Sequence, residues 1–241
     1  MQREQTSAGP DRSPTVPAAG RARRRRGRPP KLDVNQITDA VIRLGFAGTT
    51  VDQVADELTV GPATLYRYIG TRRQMLASAF DRLIVATPWP PTDGPWSTVC
   101  ETRALALWDL FARHPGAASE LAPGPVPPAM MHLYDDLTAS LIERGFTPGD
   151  ALLAADTVLD LTIDHRLGVE RLALARETGG LTLRDELTAT WTGPAADPAS
   201  TQHEAARAAM RAAIATPPRD WLEAKLDLAI AGIARRLAPH H

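Results

Sequence analysis

The run Ala63-Thr64-Leu65-Tyr66-Arg67-Tyr68 concentrates hydrogen-bonding side chains on a segment with little else to do. Leu65 and Ile69, four residues apart, give a short helix one buried anchor line, and its other positions are polar or small. Arg67 offers a planar fork of donors that suits the O6 and N7 edge of guanine. Pro62 and Ala63 are compact enough to lie against thymine methyls or groove walls, and Tyr68 and Arg72 suit phosphates, which fix register without carrying sequence information. A small rigid helix presenting Ala63, Thr64, Arg67 and Tyr68 is what a major groove accepts. The same spacing also suits an ordinary helical hairpin in an enzyme or scaffold.

So short a helix cannot be stable by itself, so its neighbours must hold it. Signals for those neighbours lie on either side. Thr50-x-x-Gln53 and Thr71-x-x-Gln74 both have capping-box spacing, in which the hydroxyl takes the third backbone N–H and the Gln side chain reaches back. Val51, Val54, Ala55 and Leu58 repeat at three and four and bury one stripe. After the Thr59-Val60-Gly61 turn, Pro62 suits a first helical position, where its missing N–H costs nothing.

Charge is distributed unevenly along the chain. Residues 1–80 hold 13 Lys/Arg against 7 Asp/Glu, and residues 81–241 hold 14 against 21, so a basic front and an acidic body lie behind a net charge of −1. Phosphate contacts need the first, and the second keeps DNA to one face. Most of the basic charge lies in Arg21–Lys31, seven cations in eleven residues without an acid. Residues 1–32 read as a disordered Arg-rich arm, rich upstream in Pro, Gly, Ser and Thr, and no apolar core follows to make a signal peptide. Its core, Arg26-Gly27-Arg28-Pro29, resembles an AT-hook, with Arg26 and Arg28 placed to enter a narrow A·T-rich minor groove. The alternative is a solvated tail that adds affinity through counterion release.

Residues 33–80 resemble the DNA-binding domain of the tetracycline-repressor (TetR) family. Ile37, Ala40, Leu44, Gly45, Phe46, Thr49-Thr50-Val51, Val54-Ala55, Leu58, Val60, Thr64-Leu65-Tyr66 and Leu76 carry the likeness, and Ala63–Tyr68 is its most specific part. The resemblance implies that Thr64 and Tyr66 face bases, and it adds Thr50 to the DNA-contacting set of Pro62, Ala63, Arg67, Tyr68 and Arg72. Thr59 departs from the pattern, since the family usually has Gly there; either it sits strained at positive φ or the turn is shaped differently.

Residues 81–241 are long enough for one sizeable helical core. The expected architecture is all-α: helices near 33–45, 51–58, 62–69 and 72–86, one from Ser97 to His114, one ending at Gly145, a long one from Thr147-Pro148 to about Glu177, a loop over 178–199, and helices near 201–215 and 218–237. Leu110–Gly116 and Arg144–Leu152 resemble the carboxyl-terminal domain of tetracycline-type repressors. That likeness implies a ligand-binding core whose long and last helices pair with a second subunit. The last helix agrees, with an apolar band of Trp221, Leu222, Leu226, Leu228, Ala229, Ile230, Ile233 and Leu237 that is too wide for one core stripe.

Asp156, Asp160 and Asp164 recur every four residues beside His165, either as an acidic pocket wall or as an exposed face paired with cations. Candidate pocket residues are Trp108, Phe111, His114, Met131, Tyr134, Asp160, Leu161 and Asp164. The resemblance places His114 where the tetracycline repressors use a histidine toward a drug-bound magnesium, but Gly168 stands where their glutamate falls, so neither a metal nor another cofactor is expected. There is no Gly-rich phosphate loop, no Cys/His ligand spacing and no G-x-S-x-G, which disfavours an enzyme. Cys100 is the single cysteine and no 18-residue apolar run exists, so a cytoplasmic protein with no membrane partner is expected. The reading that results is a homodimeric repressor of a palindromic operator, released by a small-molecule effector. Its alternative is a sequence-tolerant protein that coats A·T-rich DNA through the arm.

Overall fold

The computed structural model describes residues 32–174, 180–192 and 201–239. Arg26, Arg28 and the rest of the arm through Lys31 lie outside the described residues.

Asp33 starts α1 (Val34–Leu44) through a reciprocal capping box, its Oδ1 accepting from the Gln36 N–H at 2.8 Å while the Gln36 Oε1 accepts from the Asp33 N–H at 3.0 Å. Thr50 and Gln53 build the same box on α2 (Val51–Glu57). Thr71 begins α4 (Arg72–Ala86) with half of one: its hydroxyl accepts from the Gln74 N–H at 3.1 Å, while the Gln74 side chain lies against Gly70. These caps fix three helix starts around Ile37, Val41, Phe46, Val54, Leu65 and Leu76, all fully buried.

The turn between α2 and α3 (Pro62–Leu65) resolves the Thr59 question. Thr59 sits at φ 56° and is the one described non-glycine residue with positive φ. Its N–H donates to the Asp56 carbonyl at 3.0 Å and the Val60 N–H donates to the Ala55 carbonyl at 2.9 Å, the paired bonds of a Schellman ending with threonine in the place glycine favours. Gly61 then serves as N-cap and Pro62 as first helical residue. The expected helix over 62–69 is shorter. α-Helical structure stops at Leu65, and the chain tightens through bonds from Arg67 N–H to Thr64 O and Tyr68 N–H to Leu65 O.

The body is built on α8 (Pro148–Ala173), which packs against α5 (Trp96–Arg113), α6 (Ala117–Leu121), α7 (Pro128–Ile142) and α11 (Pro218–Arg236). Thr147 caps α8 and Pro148 opens it, as the sequence predicts. Ala151, Ala154 and Ala155 let its neighbours approach closely. Helix α8 ends at Ala173, four residues short of the expected Glu177. Two helices were not expected: α6, and α9 (Leu183–Thr192) inside the segment read as a loop. Helix α9 pairs with α10 (Thr201–Ala215) on the outside of α8. Among the described residues every regular element is a helix, and no helix is long and apolar enough to cross a membrane.

Helix α4 belongs to both the front and the body. Phe80 meets Phe46 edge-on at 5.8 Å between ring centroids and stacks on Phe111 at 4.7 Å, so one aromatic column runs from the helix-turn-helix into α5. The Asp81 carboxylate accepts from the Ala129 N–H at 2.6 Å and so ties α4 to the start of α7.

Thr59 is exposed, so its side chain gives up little packing for its strained backbone. Thr59→Gly is therefore expected to raise the unfolding free energy by about 1 kcal/mol, read from urea unfolding. A loss of stability instead would show that the turn depends on the threonine side chain.

Candidate nucleic-acid interface

The short α3 is held from beneath. Leu65 is fully buried and Ile69 nearly so, while Pro62, Ala63, Tyr66 and Arg67 form an exposed outer face, with Tyr66 53% exposed. Tyr66 and Arg67 have no intramolecular side-chain partner among the described residues, so their donors are free for a ligand. Thr64 and Tyr68 are half-buried at the flanks, and Tyr68 packs on the core. Thr50 is exposed at the start of α2, though its hydroxyl is already engaged with Gln53.

Arg72 has a different task from the phosphate contact expected of it. Its Nε donates to the Thr49 carbonyl at 2.6 Å and its Nη1 to Glu120 Oε2 at 2.6 Å. The hydrogen bond from Arg72 holds the Glu120 carboxyl below the usual carboxylate range, and the Gly48 N–H adds to this at 3.1 Å. Arg72 is thus a strut between the helix-turn-helix and α6. The neighbouring Arg73 is exposed and its side chain makes no hydrogen bond or ion pair among the described residues, which leaves it open to a phosphate. Sequence reasoning missed it, because two adjacent arginines at a helix start look interchangeable until the fold turns one inward.

The strut continues inward through α6. Gly116, the α6 N-cap, lies at φ 85° against Ala47, where an added Cβ would come within 2.7 Å of the Ala47 backbone. The buried Glu170 carboxylate of α8 accepts from the Gly116 N–H at 3.1 Å and the Ser119 N–H at 2.8 Å, supplying the cap that α6 lacks. Arg166 joins it one turn back, its Nε 3.2 Å from Glu170 Oε1.

The eight candidate pocket residues do not gather around one cavity. Leu161 and Asp164 line a partly open space of about 370 Å3 bordered by α8, α9, α10 and α11, with His165, Trp191, Trp221 and Lys225 among its other walls. Trp108 lies behind that wall, stacked on His165 at 5.5 Å with the Arg166 guanidinium 5.3 Å from its ring centre. Phe111 is core, and His114 ends α5 edge-on to Phe46, its pKa lowered by burial and by Arg113. Met131 is 53% exposed on α7. The Tyr134 hydroxyl donates to Asp160, which lies outside the cavity lining. The acidic stripe of Asp156, Asp160 and Asp164 is exposed. The Cys100 thiol, buried in α5 and pushed up to about 12 chiefly by that burial, has no reactive character.

Known proteins share this arrangement. Residues 27–72 match the family described as the helix-turn-helix domain of resolvase. A possible TetR-family transcriptional regulator from Streptomyces coelicolor A3(2) superposes with a TM-score of 0.66 at 23% identity, covering 84% of this chain and 97% of the other. The Streptomyces coelicolor TetR-family protein ActR, solved in complex with actinorhodin, superposes with a TM-score of 0.67 at 19% identity over 85% of this chain and 98% of its own. This chain has the fold of the TetR-family regulators. In sequence it is 30% identical over 96 residues to the HTH-type transcriptional repressor DrrR1 of Streptomyces coeruleorubidus; the match takes in 37% of this chain and spans only 36% of that relative's length. Within the TetR-type fold, α2 and α3 form the helix-turn-helix, and α4 with α6 joins it to the body.

Arg67→Ala is expected to relax base preference at one position and cost about 1–3 kcal/mol there, whereas Arg73→Ala should weaken all sites equally and lower the salt slope by about 1. Binding titrations over several salt concentrations on matched and mismatched duplexes separate the two. Uniform loss from Arg67→Ala would remove it from base reading.

Proposed function

We propose that the protein is a one-component transcription regulator that binds a palindromic operator as a homodimer through α3 and is released by a small-molecule effector. The observation that carries this reading is the free outer face of α3 and the turn that closes it, where Tyr66 and Arg67 stand exposed over the buried Leu65. A capped helix-turn-helix that offers unpartnered donors on a rigid, buried base fits a base-reading element.

Dimerisation is supported by apolar surface that one subunit leaves uncovered. On α11, Leu228 is 78% exposed, in line with exposed Ala224, Ala231 and Gly232, and on α8 Leu152 and Leu153 are about half exposed. A second copy would cover these residues and set two α3 helices about one DNA turn, roughly 34 Å, apart. The cavity beside α8 supports a small-molecule effector, as does the solved complex of ActR, a relative in fold, with actinorhodin.

The route from cavity to DNA follows from the contacts above. A ligand seated against His165 presses on the Trp108 stack, whose ring also carries the Arg166 guanidinium. Arg166 and Glu170 move with α8, Glu170 holds the start of α6, and Glu120 of α6 holds Arg72 and Gly48. A shift of α8 thereby reaches both ends of the α2–α3 unit. Release requires only that the ligand bind the displaced arrangement more tightly than the operator-bound one.

Selection of bound fragments from a genomic DNA library at roughly 150 mM salt, where nonspecific phosphate binding is weakened, tests the reading. A short palindrome is expected. Broad recovery of A·T-rich DNA without one would overturn it in favour of coating by the arm, with its seven cations in eleven residues.

A further inference from the structure

The cavity beside α8 has two kinds of wall. Trp191 of α9 and Trp221 of α11 supply flat aromatic faces, and Met210 of α10 and Leu161 of α8 fill between them. Indole rings and a thioether favour a flat, polarizable occupant. At about 370 Å3 the space lies within the range of small-molecule sites, roughly 300–1,000 Å3. No residue of α9 is buried; half-buried side chains such as Trp191, and a bond from the Leu183 N–H to the Leu174 carbonyl at 3.4 Å, hold this wall in place.

The polar wall has a sign. Lys225 is one of two lysines in a chain with 25 arginines, and it lines the cavity half-buried with no carboxylate in ion-pair reach among the described residues. Its one partner is His165. The His165 Nε2 lies 2.8 Å from the Pro218 carbonyl, a contact that only an N–H can make, so Nδ1 carries the lone pair and accepts from Lys225 Nζ at 3.4 Å. That histidine is itself fixed by its stack on Trp108. The ammonium is thus positioned through one hydrogen bond and keeps two more N–H groups for an occupant. Arg184 of α9 adds a second cation, spending one nitrogen on the Ile214 carbonyl at 2.8 Å. The one acid in the lining, Asp164, is exposed. The lining therefore brings two cations together with two indole rings.

We propose that this cavity takes a planar aromatic anion, a fused-ring carboxylate or acidic phenol, with its rings against Trp191 and Trp221 and its oxyanion on Lys225. The assignment rests on the effector reading above and gives that effector a chemical class. An oxyanion here gains a charge-assisted bond from a lysine that the fold leaves without a counter-ion, so a neutral ring system of the same shape binds more weakly.

The test uses the full chain, tryptophan fluorescence, and two probes of one shape, 2-anthracenecarboxylate and 2-(hydroxymethyl)anthracene. The carboxylate is expected to bind at least about ten-fold more tightly than the alcohol. Lys225→Met should remove that advantage and leave the alcohol unchanged, and Trp191→Ala should weaken both probes. Equal binding of the two probes to the wild type, or a Lys225→Met protein that keeps the preference, overturns the assignment, as does binding of neither. The operator complex is then titrated with the carboxylate. Release supports both readings, whereas a bound carboxylate that leaves the complex intact upholds the ligand class and removes the cavity from regulation.

Discussion

Glu120 holds the two parts of this molecule in register. One carboxylate oxygen takes the Arg72 guanidinium at the head of α4, and the other takes the Gly48 N–H just before α2. Arg72 closes the triangle on the Thr49 carbonyl. The helix-turn-helix is thereby gripped at the entry to α2 and at the exit from α3, the two places that set the direction of its outer face. The Phe46–Phe80–Phe111 column supplies apolar adhesion between front and body, but hydrophobic contact is non-directional. The directed bonds fix the angle.

Helix α6, which carries Glu120, has only five residues and no side-chain cap of its own. Such a helix forms only where something else orders it. Here that is Glu170, a carboxylate 8% exposed that would be costly to bury alone, and is tolerated because Arg166 and two backbone N–H groups satisfy it. The geometry explains why a glycine stands at position 116. Its positive φ turns the chain into α6, and its missing Cβ admits Ala47. Two acids on two helices, joined through the backbone of α6, make a polar path from α8 to the entry of α2 and the head of α4.

What the sequence revealed and what it hid divide along the range of the interactions. Capping residues act over three positions, so Thr50, Thr71, Gly61-Pro62 and Thr147-Pro148 announced their helix starts, and the departure at Thr59 showed up as positive φ. Helix α6 was hidden because its cap comes from a residue 51 to 54 positions away. Helix α9 was hidden because its sequence buries nothing and its order comes from α10 and α8. For the same reason the expected pocket residues include Leu161 and Asp164, which line the cavity on α8, but not Trp191, and the remaining candidates are spread over core, surface and the end of α5. Arg72 and Arg73 show the limit at one residue's resolution. Their chemistry is the same, and only the position of Glu120 separates a strut from a free cation.

The central claim is that α8 governs the helix-turn-helix through α6. Amide hydrogen exchange on Glu170→Gln tests it without any ligand. The substitution weakens the cap on Gly116 and Ser119, and if the path is continuous, exchange also quickens at Gly48 and through the start of α2, beyond any contact of Glu170 itself. Faster exchange confined to Gly116–Ser119, with Gly48 as protected as in the wild type, would contradict the claim.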